Sequence, residues 1–159
     1  MRLSADCPLS DPQVIDAAVG LALETGAAYA SNCVRRSYPE GLEVEVMTLE
    51  AVLAAAQAAL EPCDREQVTP FIRRDPGRFA QAHLVRQTDL SDLRWSVERP
   101  EDFALVRSVF QQLYPADPGF GLGEVLDLLD ERPDLAALAS RARAVAAPAV
   151  EDPLTAAAA

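Results

Sequence analysis

The sequence predicts an α/β domain, in which short strands alternate with helices. Three observations predict this class. Asp11 followed by Pro12 has the form of a helix start, a capping side chain with proline at the first helical position. Residues 42–46 alternate between apolar side chains and glutamates, the period-two pattern of a strand. The apolar segment 93–97 is followed at Pro100 by a helix whose first turn is acidic, which suits the positive end of the helix dipole.

Composition limits the kinds of partner. With 159 residues, half of them apolar, the chain has room for one domain with a hydrophobic core. A net charge of −11 and a pI near 4.4 argue against nucleic acid as a partner. No stretch approaches the roughly 20 apolar residues that span a bilayer. Acidic residues and prolines interrupt the first dozen positions, so no signal peptide is expected there. We therefore expect a cytoplasmic protein without a membrane partner.

The cysteines and the histidine form no metal or nucleophile pattern. Cys7, Cys33 and Cys63 are scattered and never paired as CxxC, and His83 is the single histidine. A zinc site is therefore not expected, and the thiols are expected to be reduced. His83 falls in a predicted strand and is expected to be structural. The sequence contains no glycine-rich phosphate loop and no Ser/His/Asp arrangement.

The remaining elements follow from hydrophobic periodicity and from turn residues. Strands are expected over 2–5, 27–31, 42–46, 79–85 and 93–97. Helices are expected over 12–25, 48–60, 65–73, 100–113, 122–131 and 134–144. The helix from Pro100 is expected to bury Phe103, Val106, Phe110 and Leu113. One domain is expected over 1–145, followed by a disordered alanine-rich tail over 146–159.

Asp6 is the first candidate site residue. It lies where the first strand is expected to end and turn towards the helix start at Asp11. Ligands of open α/β sheets bind at the carboxyl ends of the strands. A carboxylate there can hold Mg²⁺, which takes oxygen ligands, often one or two carboxylates together with substrate phosphates. The alternative is a turn aspartate that caps Leu9 or the following helix.

Glu98 is the second candidate. It ends the segment 93–97 and precedes a helix, so its position is topologically equivalent to that of Asp6. Two acids at the carboxyl ends of strands could share a metal ion bound to a triphosphate. The alternative is a surface glutamate in a charged turn.

Two further clusters contain charged residues. Arg65, at the start of a predicted helix, could grip an anionic ligand with its guanidinium fork; alternatively it belongs with Glu66 to an exposed charge cluster. A turn at Gly41 leads into the strand that presents Glu43 and Glu45 on its polar face. These acids could contact sugar hydroxyls or another subunit, or they form a solvated strand face.

Four segments occur together in an order and spacing typical of a known family. They are Ser4-Ala5-Asp6-Cys7-Pro8-Leu9, Tyr38-Pro39-Glu40-Gly41-Leu42-Glu43-Val44-Glu45, Asp64-Arg65-Glu66-Gln67-Val68-Thr69-Pro70-Phe71-Ile72 and Leu93-Arg94-Trp95-Ser96-Val97-Glu98-Arg99-Pro100-Glu101-Asp102-Phe103. The chain resembles the spore-coat-polysaccharide type of cytidylyltransferase, akin to the enzymes that activate acylneuraminate and 3-deoxy-manno-octulosonate. The resemblance extends to about Leu138.

The resemblance implies a Rossmann-like nucleotidyltransferase fold, a three-layer sandwich. It implies a reaction in which a sugar acid and CTP give a CMP-sugar and pyrophosphate, with Mg²⁺ as cofactor. The family's metal-binding and catalytic acids match Asp6 and Glu98. Substrate-binding positions match Arg65, Gln67 and the strand over 41–45, that is Gly41, Glu43 and Glu45.

The sequence also departs from the family pattern. The amino-terminal strands and the nucleotide loop with its glycine, arginine and lysine are missing, so we expect an incomplete fold that is inactive alone. Glu98 stands where the family usually has aspartate, and Glu43 stands where aspartate is common. Gln67 replaces a common histidine, and Arg99 replaces a small capping residue. These differences suggest relaxed constraint on catalysis.

Three interpretations remain at this point. The first is a cytidylyltransferase-like protein of cell-surface polysaccharide biosynthesis, inactive by itself; a gene start upstream of Met1 would account for the missing half. The second is an enzyme made active by a complementing chain. The third is a non-catalytic interaction module that associates, by default as a homodimer, through the open sheet edge expected at 2–5.

Overall fold

The structure is a computed structural model that describes residues 1–58, 64 and 68–140. Helices in this part of the chain are α1 (Pro12–Thr25), α2 (Leu49–Ala58), α3 (Val68–Arg74), α4 (Pro100–Leu113), α5 (Leu122–Glu131) and α6 (Pro133–Ser140). Strands are β1 (Tyr29–Ser31), β2 (Glu45–Met47) and β3 (Gln81–His83). None of these helices combines the length and hydropathy that crossing a bilayer requires. The tail predicted over 146–159 lies outside the described residues.

The three strands form one sheet with helices on both faces. Its order is β2-β1-β3, with β1 antiparallel to β2 and parallel to β3. Successive side chains of β1 point to opposite faces of the sheet. Tyr29 packs with Ala51 of α2 and Ile72 of α3, whereas Ala30 packs with Leu21 of α1. The result is a layered α/β fold, the class that the sequence predicts.

The prediction of a strand over residues 2–5 is wrong. Only Arg2 pairs, in an isolated antiparallel bridge in which its amide donates to the Glu45 carbonyl at 2.7 Å and its carbonyl accepts from the Glu45 amide at 3.2 Å. The chain turns at positions 5 and 6, ahead of Pro8, so a longer ladder has no room to form. Asp6 therefore lies on a turn and not at the end of a strand.

The strand predicted over 93–97 is also wrong. A single parallel bridge joins Arg94 to Glu40. The Val97 amide instead donates to the Asp6 carbonyl at 2.8 Å, and the Arg94 amide donates to a carbonyl of α6 at 3.0 Å. This extended segment bonds to three different parts of the chain in turn, and a continuous ladder with one neighbour cannot form.

The alternation over residues 42–46 predicts the buried apolar face correctly, but the exposed face that it predicts for Glu45 is wrong. Leu42 and Val44 are buried as predicted, but Glu45 is only 3% exposed. Its carboxylate accepts a hydrogen bond from the Tyr29 hydroxyl at 2.5 Å and pairs with the guanidinium of Arg2. A buried carboxylate is tolerated when it is paired and hydrogen-bonded in this way, which periodicity alone does not reveal.

Helix α4 begins at Pro100 as predicted. Val106 is buried, and Phe110 and Leu113 pack partly buried against the core, as predicted, but the burial predicted for Phe103 is wrong. Phe103 is 57% exposed, while Leu105, Val106 and Val109 are buried. The cause is Asp102, which is only 5% exposed and turns inward at the start of the helix. Residues three, four and seven positions after it share its face, and that rotation places Phe103 outside.

One carboxylate joins the starts of two helices. Asp11 caps α1 as predicted, with Oδ1 accepting the Gln13 amide at 2.6 Å, and α1 ends at Gly26 in the left-handed conformation. Asp11 Oδ2 accepts the amide of Leu122, the first residue of α5, at 2.7 Å. Helices α1, α4, α5 and α6 pack around the main hydrophobic core. Buried side chains of this core include Val14, Val109 and Val125.

Replacing Asp11 with alanine tests this double cap. We expect Asp11→Ala to lower the free energy of unfolding by about 2–4 kcal/mol, the sum of a lost N-cap and an unpaired buried amide. Urea unfolding monitored by tryptophan fluorescence measures it. The control is Asp16→Ala, because Asp16 is an exposed acid of the same helix. Equal stability of the two variants would contradict the double-cap role.

Candidate functional site

A cleft of about 310 Å³ opens where the turn at Asp6, the turn at Gly41 and the segment 93–98 meet. It is strongly polar and carries both signs of charge. Its carboxylates are Asp6, Glu40, Glu43, Glu45 and Glu98, and its arginines are Arg2, Arg36 and Arg73. Ser4, Thr69 and Ser96 add hydroxyl groups. Four acids that the sequence singled out, Asp6, Glu43, Glu45 and Glu98, thus line one cleft.

The hydrogen bond between the Val97 amide and the Asp6 carbonyl brings the first two candidates together. Glu98 follows directly after Val97, so its peptide lies beside that of Asp6. The two residues share the cleft, as their matched positions predict, although neither ends a strand. Two further residues, Arg65 and Gln67, are predicted to bind substrate. Both lie outside the described residues.

Gly41 shapes the cleft without lining it. Its φ is +105°, and a Cβ at this position would lie 2.6 Å from the Ser96 nitrogen and 2.7 Å from the Trp95 carbonyl carbon. Only glycine combines this backbone conformation with so close an approach. Its amide donates to the Glu43 carboxylate at 2.7 Å. Gly41 therefore lets the turn pack against the segment that leads to Glu98.

The acids on the Gly41 side form ion pairs. Arg36 Nη2 lies 3.3 Å from Glu43 Oε1 and 3.6 Å from Glu40 Oε2, at the exposed rim of the cleft. Arg2 and Glu45 also line the cleft and form an ion pair with each other, and the hydrogen bond to Glu45 raises the pKa of Arg2. Burial and the hydrogen bond to Glu45 both raise the pKa of Tyr29. Among the described residues, Arg73 faces the cleft without an ion pair.

Behind the cleft, Arg94 links three carboxylates. Its Nη2 donates to Glu98 Oε2 at 2.6 Å and to Asp102 Oδ2 at 3.1 Å, and its Nε lies 3.7 Å from Glu40 Oε1. The side chain is only 12% exposed. Burial by itself would lower the pKa of Arg94, but the hydrogen bond to Glu98 and the charges of the three acids raise it. In the sequence, nothing marks this residue as part of the site except its place four residues before Glu98.

Asp102 anchors the network to helix α4. It accepts the amides of Glu98 at 3.1 Å and Arg99 at 3.0 Å, and the Arg99 guanidinium contacts its second oxygen at 3.2 Å. Burial would raise the pKa of Asp102, but the hydrogen bonds from Arg99 and from these amides, together with the Arg94 charge, lower it below the ordinary value. The carboxylate therefore stays ionised.

Neither described cysteine is a nucleophile at neutral pH. Burial and the neighbouring Asp6 charge raise the pKa of Cys7 to about 12, and burial and the Glu45 charge raise that of Cys33 to about 12. A neutral thiol is a poor nucleophile. The Cys7 thiol lies 3.5 Å from Asp6 Oδ1 and donates to it. Within the described part of the chain, that carboxylate has no ion-pair partner.

The cleft contains oxygen ligands of the kind that Mg²⁺ binds. Asp6 and Glu98 offer carboxylate oxygens on one cleft, beside the hydroxyls of Ser4 and Ser96. The described residues bring together no group of three or more potential metal ligands. Mg²⁺ is commonly held by one or two carboxylates with the remaining positions filled by water and phosphate. The residues fit that mode, with Asp6 available and Glu98 shared with Arg94.

Comparison with known proteins agrees with the sequence resemblance. The chain is 28% identical over 147 residues to the uncharacterized protein MJ1063 of Methanocaldococcus jannaschii, covering 90% of this chain and 58% of that protein. It is 24% identical over 139 residues to the spore coat polysaccharide biosynthesis protein SpsF of Bacillus subtilis, covering 86% and 56%. No protein-family model matches the chain.

The fold matches a solved cytidylyltransferase. A cytidylyltransferase from Leptospira borgpetersenii superposes with a TM-score of 0.76 at 22% identity, covering 85% of this chain and 56% of that protein. The Rossmann-like nucleotidyltransferase fold implied by the four motifs is thus confirmed, as is the resemblance to the cytidylyltransferase type. The chain spans a little over half the length of these relatives, so it forms an incomplete version of that fold.

The Asp102 network predicts a pH-dependent stability difference. Asp102→Ala should lower the free energy of unfolding by about 2–3 kcal/mol at pH 7, because the Glu98 and Arg99 amides and Arg94 lose their acceptor. The folded pKa lies below the ordinary value of 3.8, so the contribution of Asp102 is present above that pH. It is lost as the pH falls through the folded pKa.

Urea unfolding at several pH values, followed by the fluorescence of Trp95, measures this difference. Glu101→Ala is the matched control, because Glu101 is an exposed acid of the same helical turn. If the difference in free energy of unfolding between Asp102→Ala and wild type stays constant down to about pH 3, the lowered pKa of Asp102 is contradicted.

Proposed function

We propose that this chain, which has a cytidylyltransferase-type fold and is similar to a spore coat polysaccharide biosynthesis protein, is part of a cytidylyltransferase of cell-surface polysaccharide biosynthesis. The reaction joins a sugar acid to CTP and releases pyrophosphate. The observation that carries the proposal is the shared cleft of Asp6 and Glu98 in this fold. Both residues come from motifs that match the family.

Asp6 would act as the primary Mg²⁺ ligand and Glu98 as the second acid. The bound ion would supply positive charge that neutralises the phosphates of CTP. Asp6 suits this role because it lines the cleft and carries no ion pair within the described residues. The Val97 amide holds the backbone of the turn at Asp6, from which this carboxylate projects. Positioning and charge stabilisation would supply most of the rate.

The Gly41 turn would bind the sugar. Glu43 and Glu40 offer acceptors for sugar hydroxyls at the rim, and Arg36 holds both carboxylates. Glu45 would act indirectly, since its carboxylate is already bound by Tyr29 and Arg2. Arg65 and Gln67 are proposed to complete this side of the site, by resemblance alone.

The charge of the cleft indicates that this chain needs additional cationic groups. Five carboxylates face three arginines, and two of those arginines are already paired with cleft acids. A triphosphate is repelled by such a surface unless other cations join it. We therefore propose that the chain alone binds CTP only together with Mg²⁺ and does not turn over, and that a complementing segment or chain provides the rest of the phosphate cradle.

A second candidate function is a non-catalytic interaction module. Within the described residues, β3 pairs only with β1, and β2 is met on its outer side only by Arg2. Unpaired edges of this kind favour association with another strand. This candidate expects a dimer or a hetero-complex, no CTP binding, and full tolerance of Asp6→Asn.

Calorimetric titration with CTP and Mg²⁺ distinguishes the two functions. The proposal expects Mg²⁺-dependent binding that Asp6→Asn weakens roughly tenfold or more, because the neutral amide is a poor ligand for Mg²⁺. Asp16→Asn, an exposed acid of α1, is the control and should bind like wild type. Absence of binding at about 1 mM CTP would mean a binding free energy weaker than about 4 kcal/mol. That result would contradict the proposal and favour the interaction module.

A further inference from the structure

We propose that Arg94 is a positioning residue that holds Glu98 on the cleft wall, so that a divalent cation entering the cleft competes with Arg94 for the Glu98 carboxylate. This inference rests on the proposed function, since it concerns the same cation. Arg94 itself does not line the cleft. It would act through Glu98, to which its Nη2 donates at 2.6 Å.

Glu98 is the partner of Arg94 that is able to change its contacts. Its side chain is 57% exposed, whereas that of Asp102 is 5% exposed. Asp102 is also bound by two backbone amides and by Arg99. An exposed glutamate with a single strong contact moves at lower cost than a buried aspartate with four. A cation in the cleft would therefore bind the Glu98 carboxylate, and Asp102 would keep its contacts with Arg94, Arg99 and the two amides.

Arg94 has contacts that do not depend on Glu98. Asp102 Oδ2 remains at 3.1 Å and Glu40 Oε1 at 3.7 Å. Its backbone amide is bound to the Ala139 carbonyl of α6 at 3.0 Å, and the next residue is the buried Trp95. The arginine is thus a fixed positive charge behind the cleft wall, and its two remaining acids compensate it. Competition for Glu98 then lowers the affinity of the cleft for a bare cation.

The test is Mn²⁺ binding to the purified chain, followed by electron paramagnetic resonance of the unbound ion. Arg94→Met should tighten Mn²⁺ binding about threefold to tenfold, the worth of one partly exposed ion pair. Glu98→Gln in the Arg94→Met background should remove that gain, because the gain comes from the released carboxylate. A purely structural role for Arg94 would not give a Glu98-dependent change in Mn²⁺ affinity.

Arg99→Met is the matched control. It removes the same charge and also takes a partner from Asp102, but Arg99 contacts neither Glu98 nor the cleft in the described residues. It should leave Mn²⁺ affinity unchanged. Fluorescence of the buried Trp95 shows whether each variant is folded; Arg94→Lys, which keeps the charge without the fork, replaces Arg94→Met if the latter unfolds and should tighten binding by less.

The outcomes separate this inference from the proposed function. Mn²⁺ binding that Asp6→Asn weakens, but that the Arg94 variants leave unchanged or weaken, contradicts the inference alone. Absence of Mn²⁺ binding in every variant contradicts both the inference and the proposed role of Asp6. Tighter binding in Arg94→Met that persists after Glu98→Gln also contradicts the inference, since it would reflect only the lost charge.

Discussion

The structure depends on the backbone hydrogen bonds of the segment 93–98. The Trp95 amide donates to the Glu40 carbonyl at 2.6 Å, and the Val97 amide donates to the Asp6 carbonyl at 2.8 Å. These bonds join two turns that are more than thirty residues apart in the chain. Burial of Trp95, which is 1% exposed, fixes the segment between them. The cleft exists because one extended segment serves as the partner of both turns.

This arrangement determines how charge is distributed around the cleft. Acids whose positions the backbone fixes deep in the fold, such as Glu45 and Asp102, are compensated by arginine and by amides. Acids at the opening are less constrained, and Asp6 carries no ion pair among the described residues. An acidic opening above a compensated interior suits a bound cation better than a bare anion. The charge pattern of the cleft therefore favours a positively charged ligand over a negatively charged one.

Several elements of the fold, and the candidate site acids, could be predicted from the sequence. Local signals were sufficient for α1, where Asp11 and Gly26 mark both ends, and for the turn at Gly41. They were not sufficient for the segments 2–5 and 93–97, because an extended segment becomes a strand only if one neighbour offers a continuous ladder. Burial of Glu45 depends on Arg2 and Tyr29, which are distant from it in sequence. The network around Arg94 joins its sequence neighbours Glu98 and Asp102 to the distant Glu40, a combination that neither periodicity nor spacing encodes. The position of Asp6 and Glu98 on one cleft followed from the motifs, even though the strands assumed for them are absent.

We propose that a divalent cation binds at Asp6. Nuclear magnetic resonance of the ¹⁵N-labelled chain, titrated with Mn²⁺, tests it most directly, because the paramagnetic ion broadens only nearby amide resonances. If the cation binds there, broadening begins at Ser4, Asp6, Cys7 and the residues around Glu98, and it is lost in Asp6→Asn. Broadening that begins elsewhere, for instance near the α1–α5 junction at Asp11, or none at all, would contradict it.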